Sequence, residues 1–192
     1  MNRNVQLPWY SADASLAVDD KQAFVDRIRS NLTELLGFPN FVCYVKMPQK
    51  DKPGKTDKKP INPHTGGMAK CDDSSTWGTF EEAAVYHLRN PRIDGVGFQL
   101  GETPDKKSGI VGVDLDNCVD SDGQIEPWAA DIVKHLNTYC ELSPSGTGLH
   151  LFLYGELPPR GRKKGDIEMY DCGRFITLTG DLLESHDSTE TS

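Results

Sequence analysis

No run of apolar residues in the 192-residue chain approaches the roughly 18 that a membrane-spanning helix needs, so no membrane span or membrane partner is expected. The first residues, Met1-Asn2-Arg3-Asn4-Val5-Gln6-Leu7-Pro8, hold no apolar signal core, and a cytoplasmic location is expected. The five cysteines (43, 71, 118, 140 and 172) include no C-x-x-C pair, which argues against both a disulfide framework and a structural zinc site. Reduced, mostly buried thiols are the expectation. No internal repeat is visible. Gly54-Lys55-Thr56 imitates the end of a P-loop, but the position of the required upstream glycine is Gln49, so no P-loop nucleotide hydrolase is inferred. The length fits one hydrophobic core rather than two full domains.

Charge is present but unevenly distributed. With 21 Lys+Arg against 29 Asp+Glu the chain carries a formal −8, which disfavours indiscriminate nucleic-acid binding. Between Lys46 and Lys59, however, six lysines (46, 50, 52, 55, 58, 59) face two aspartates, a local +4 that reads as a long loop. Arg160, Arg162, Lys163 and Lys164 form a second +4 island, leaving −16 on the rest of the chain. Either island alone is equally well explained as a solvated loop. Both gain weight only beside a phosphate-handling site.

Phe24, Val25, Ile28, Leu32, Leu35 and Leu36 recur at helical spacing, with Asp19 and Asp20 as a start signal and Gly37 as a stop. Residues 41–45 read as a strand. Thr79 followed by Glu82 forms a capping box for a helix to about Arg89. The remainder alternates strands (95–100, 110–116, 149–154, 166–170, 174–179) with one helix from Pro127 to about Asn137. Residues 1–180 are expected to form the folded unit and 181–192 a polar tail or linker.

Three local patterns carry chemistry. Ile110-Val111-Gly112-Val113-Asp114-Leu115-Asp116 is an apolar strand ending in two carboxylates that alternation places on one face. Two anions aimed at one point repel unless a cation lies between them, and such oxygen donors suit Mg²⁺ or Mn²⁺; taken alone, the pair reads more readily as solvated acids at a loop edge. Ser143-Pro144-Ser145-Gly146-Thr147-Gly148-Leu149-His150 is a small-residue turn that delivers a histidine onto a strand. Its glycines would let backbone amides approach an anion, or would simply make a tight hairpin. In Asp166-Ile167-Glu168-Met169-Tyr170 the apolar pair Ile167 and Met169 shares one face and Glu168 the other, with Arg174 following across a turn. An ion pair of Arg174 with Glu168 or Asp171 is the plain alternative there.

In this order, Val-Asp114-Leu-Asp116, Ser145-Gly146-Thr147-Gly148-Leu149-His150 and Ile167-Glu168-Met169-Tyr170 resemble the three catalytic motifs of the archaeo-eukaryotic primase superfamily. The likeness is nearest to the primase-polymerase domains of phages and plasmids, through Trp77, Phe80 and Ala83, the Gly95 to Phe98 strand, and Arg-Phe-x-Thr-x-Thr-Gly from Arg174 to Gly180. It spans roughly residues 41–180. The resemblance implies an α/β primase-like fold, with an N-terminal α/β unit, a strand-rich unit related to the RNA-recognition fold, and the active site in the cleft between them.

It further implies that Asp114, Asp116 and Glu168 hold divalent metal, Mg²⁺ or Mn²⁺, and that His150 contacts the incoming nucleotide, with Ser145, Gly146 and Arg174 sharing that role. Lys55, Lys58, Lys59, Arg160, Arg162, Lys163 and Lys164 are the candidate grips on a single-stranded or primed DNA template. The implied activity is template-dependent transfer of nucleotides from NTPs or dNTPs to a 3′-hydroxyl in mobile-element replication, beside a helicase module or partner. A metal-dependent nuclease or nicking replication initiator could use the same carboxylates to activate water. A non-catalytic single-strand-binding module would use only the basic segments.

Overall fold

The apolar periodicities fold into helices packed around two antiparallel sheets. A computed structural model describes residues 12–49, 51, 56–102, 109–158 and 162–183. Helix α1 spans Ala12–Asn31, β1 Phe41–Pro48, β2 Thr56–Ile61, α2 Phe80–Arg89 and β3 Gly95–Leu100. They are followed by β4 (Ile110–Leu115), α3 (Pro127–Leu136), β5 (Tyr139–Leu142), β6 (Leu149–Tyr154), β7 (Lys163–Lys164), β8 (Ile167–Tyr170) and β9 (Arg174–Thr177). The first sheet runs β2-β1-β3-β9 and the second β5-β6-β4-β8-β7. This is a mixed α/β fold rich in strands, as expected. The last strand returns to pair with β3, so the two sheets do not divide the chain cleanly into an N-terminal and a C-terminal half.

Local chemistry accounts for most of the boundaries. Thr79 caps α2 as its spacing predicts: its side chain accepts from Glu82 N–H, and Glu82 Oε2 accepts from Thr79 N–H at 2.8 Å. The helix α1 differs from expectation at both ends. It begins before Asp19 and Asp20, which lie exposed on its side, because the preceding Ala-Asp-Ala-Ser-Leu-Ala sequence also favours helix. It ends at Asn31, and Leu32 to Phe38 continue in tight turns (Leu35 N–H to Leu32 O, 3.1 Å; Phe38 N–H to Leu35 O, 3.0 Å) that still bury Leu32 and Leu35.

The largest correction concerns the Lys46–Lys59 segment, read as one loop. Lys58 and Lys59 lie in β2, which pairs with β1 from Cys43↔Ile61 to Pro48↔Thr56. Lysine-rich edge strands evade an alternation test because neither face needs to be apolar. Lys50, Lys52 and Lys55 lie outside the described residues, as do Arg160 and residues 184–192. Residues 181–183 run along β5, with Leu142 N–H donating to Asp181 O and Leu183 N–H to Cys140 O.

The main core unites Val25 and Ile28 of α1, Phe80 and Ala83 of α2, Phe41 and Phe98 of the first sheet, and Ile110 and Phe152 of the second. The Phe98 and Phe152 rings meet edge-on, 6.1 Å apart, across the two sheets. Gly112 sits at this junction, where a Cβ would stand 2.2 Å from Ile176 Cδ1 and oblige that side chain to repack. The other face of the second sheet, with Val111, Val113, Leu115, Leu149 and Leu151, packs under α3. All five cysteines are free; Cys43, Cys118 and Cys140 are buried. No helix among the described residues is long and apolar enough to cross a membrane.

His87 gives this core a pH dependence. It is buried against Phe24, and burial, with the Lys21 ammonium nearby, pushes its imidazole down to about 4. The unfolded chain therefore binds a proton that the folded protein refuses. This contribution to stability is complete above the ordinary histidine value of about 6.5 and is lost as pH falls toward 4, by about 3 kcal/mol in full. His87→Gln should flatten that part of the acid limb in urea unfolding measured across a pH series. An unchanged limb would assign the loss to carboxylates instead.

Candidate active site

The face of the second sheet turned away from α3 buries Ile110 and Phe152 in the main core and, beyond them, holds a charged row across all its strands. Glu141 of β5 stands opposite His150 of β6, His150 opposite Asp114 of β4, Asp114 opposite Glu168 of β8, and Glu168 opposite Lys163 of β7. Residues from three motifs far apart in sequence thus become cross-strand neighbours. Alternation explains the orientation: Val113 and Leu115 are buried under α3, while Asp114 points the other way and keeps 34% of its side chain exposed.

Asp116 lies just past β4 and stays in register, its N–H donating to Asp166 O at 2.8 Å. The next turn is tied to the histidine-bearing loop, since Cys118 and Val119 N–H both donate to Thr147 O. Within that loop Ser143, Ser145 and Thr147 form a chain of hydroxyls at 2.9 and 3.0 Å. Gly148 is required by sterics: a Cβ would lie 2.5 Å from Leu115 O, so a side chain would force the loop away from the acid strand. Ser145 and Gly146 line a cleft of about 400 Å³ together with Tyr44, Arg27 and Thr179.

The electrostatics set Asp114 apart. Burial pushes its carboxyl up; Asp116 and Glu168 push the same way, while His150 and Lys58 oppose them. Glu168 is held low by hydrogen bonds from Lys163 and Tyr170. Lys58 of the first sheet reaches into this field: its Nζ donates to Thr177 Oγ1 at 3.1 Å, and burial pushes its ammonium down against the pull of Asp114 and Asp116. It therefore sits by the acids rather than in an outlying loop. Oxygen donors on one face, one of them destabilised by its neighbours, are chemically suited to a hard divalent cation. Among the described residues, no three His, Cys, Asp or Glu side chains converge as a ready-made metal cluster, and Glu168 is engaged by Lys163.

The remaining predicted residues occupy the rim. Arg174 is exposed, its guanidinium 5.0 Å from the Tyr170 ring centroid, close enough to lower the Glu168 carboxyl. Arg162 pairs with Asp171, and against the upward effect of burial Leu157 N–H and Arg162 hold that carboxyl low. Lys59 lies 3.4 Å from Asp57, and Lys164 is exposed on β7. One participant escapes a reading of motifs: Glu141. The available signal was an acid enclosed in Tyr139-Cys140-Glu141-Leu142, directly ahead of the serine-glycine turn.

No family model matches the chain. A DNA primase-polymerase of Nitratiruptor phage NrS-1 is 34% identical to it over 143 residues, 71% of this chain and 19% of that protein. The chain thus spans about a fifth of the length of the curated relative it matches. The resemblance to phage-type primase-polymerases rests on most of the chain's length and not on three motifs alone.

Proposed function

We propose that this chain is the nucleotidyl-transferring segment of a phage-type DNA primase-polymerase, extending a 3′-hydroxyl on a DNA template with nucleotides from (d)NTPs. The observation that carries the reading is the row His150, Asp114, Glu168, in which one residue from each motif stands directly opposite the next on adjacent strands. A primase-like architecture, with the site between the two sheets and Lys58 reaching it from the first, belongs to the same proposal.

Asp114, Asp116 and Glu168 would hold Mg²⁺ or Mn²⁺, which when bound neutralises phosphate charge and steadies the attacking and leaving oxygens. The chain's own residues do the rest. His150 presents its Nε2 edge beside Asp114 and, as the imidazolium that a bound triphosphate favours, donates to a triphosphate oxygen, favouring departure of pyrophosphate as the 3′-oxygen attacks the α-phosphorus. Arg174, Ser145 and Gly146 bind the same nucleotide, and the basic residues from Arg160 to Lys164 hold DNA phosphates. Mobile-element replication and a helicase module or partner complete the proposal.

The test is incubation with a primed template, labelled dNTP and either Mg²⁺ or Mn²⁺, and with an unprimed template and NTPs. Lengthened or newly made strands are expected. Shortened strands would indicate the nuclease or nicking reading, and binding without either product the single-strand-binding module.

A further inference from the structure

Behind His150 lies a carboxylate to which no role has been given. Glu141 is wholly buried, and its Oε1 stands 3.5 Å from His150 Nδ1. That imidazole nitrogen is itself buried and makes no hydrogen bond, although the ring is only 5% exposed. An orphaned polar atom in such a place is costly unless a small ring movement satisfies it.

Counting acceptors on Glu141 indicates what the movement would find. Oε2 accepts from Gly180 N–H at 2.8 Å and from Tyr139 O–H at 2.8 Å, which fills both its lone pairs. Thr179 N–H is shared between Oε1 and Oε2, at 3.2 Å from each, so Oε1 has no donor of its own and keeps a free lone pair. The nearby His150 Nδ1 is placed to use it. The cradle is built for the purpose: Gly180 has φ +69°, and a Cβ would stand 2.8 Å from Ile28 N, so only glycine turns its amide onto the carboxylate. Burial and Glu141 together push the Tyr139 hydroxyl up, which keeps it a donor.

We propose that Glu141 is a positioning residue for His150: it accepts Nδ1–H, fixes the ring, and leaves Nε2 facing Asp114 and the nucleotide. One ring nitrogen's hydrogen bond decides what the other can do. This inference deepens the nucleotide-transfer reading and rests on it for the role of Nε2. A purely structural alternative exists, because Glu141 also straps the end of β9 to β5, and the experiment must separate the two.

Glu141→Gln keeps the volume and an acceptor for Gly180 N–H but can turn an amide N–H toward Nδ1. With full-length protein, KM for the nucleotide should rise roughly tenfold or more, as for other carboxylates behind a working imidazole, with template affinity unchanged. Introduced into His150→Gln, the same change should cost no further activity, because the residue it acts through is gone. Additive losses would overturn the proposal in favour of the strap. Independently of activity, ¹⁵N spectra of the imidazoles in mildly alkaline buffer should find the His150 proton on Nδ1 in the unaltered protein. A proton on Nε2 there would overturn the proposal even if Glu141→Gln failed to fold. An unaltered protein that extends no primer, yet carries the Nδ1 proton, would instead refute the transfer reading and leave the Glu141–His150 pair standing.

Discussion

Asp114→Asn should reduce templated nucleotide incorporation by on the order of a hundred- to a thousandfold, the loss typical when a site's main electrostatic element is removed. The variant should nonetheless be as stable as its parent near neutral pH, or more so. Burial raises the Asp114 carboxyl, and Asp116 and Glu168 add to the rise, so the folded protein holds this proton at a higher pH than the unfolded chain. Ionising it as pH rises therefore weakens the fold, and asparagine is exempt from that weakening. The thermal advantage of the variant should shrink as pH falls below the carboxylate range, where the parent is neutral too. Addition of Mn²⁺ should raise the melting midpoint of the parent and not of the variant, since a ligand that binds only the folded state stabilises it. Retained incorporation, or a Mn²⁺ shift of equal size in both proteins, would remove Asp114 from the site.

How much of this site could be read beforehand depended on the physics of each element. The strand with Asp114 was legible because its apolar run ends in Asp114-Leu115-Asp116, where alternation puts both acids opposite the face that α3 covers. His150 and Glu168 were legible through the same alternation on β6 and β8. Two strands of the second sheet were not: β5 is four residues long, too short for its Cys140 and Leu142 face to stand out, and β7 is two lysines with no apolar face. Their absence hid both ends of the charged row, and with it Glu141. The serine-glycine turn was found, but not the reason that fixes Gly148: a carbonyl of the neighbouring strand excludes its side chain. Charge density alone grouped Lys58 with Lys59 and Lys55, whereas pairing with β1 sends its ammonium to Thr177 and the acids.

That regrouping has a measurable consequence. Lys58→Gln should raise KM for the nucleotide and lower incorporation on the order of a hundredfold, while leaving the salt dependence of template binding nearly unchanged. An ammonium tied to a buried threonine, desolvated, and lying in the field of two carboxylates suits a compact polyanion brought into the site. A DNA strand is gripped at exposed cations instead, and each phosphate neutralised on a single strand contributes about −0.7 to the slope of log affinity against log salt. Replacing Arg162, Lys163 and Lys164 together by glutamine should flatten that slope. Arg162 and Lys163 must first give up Asp171 and Glu168 to reach DNA, so part of their charge is committed within the protein and the flattening should fall short of three full phosphates. Binding titrations over a range of salt, paired with nucleotide-dependence curves, distinguish the two groups. A slope that changes as much in Lys58→Gln as in the triple variant, with KM unmoved, would return Lys58 to the template path.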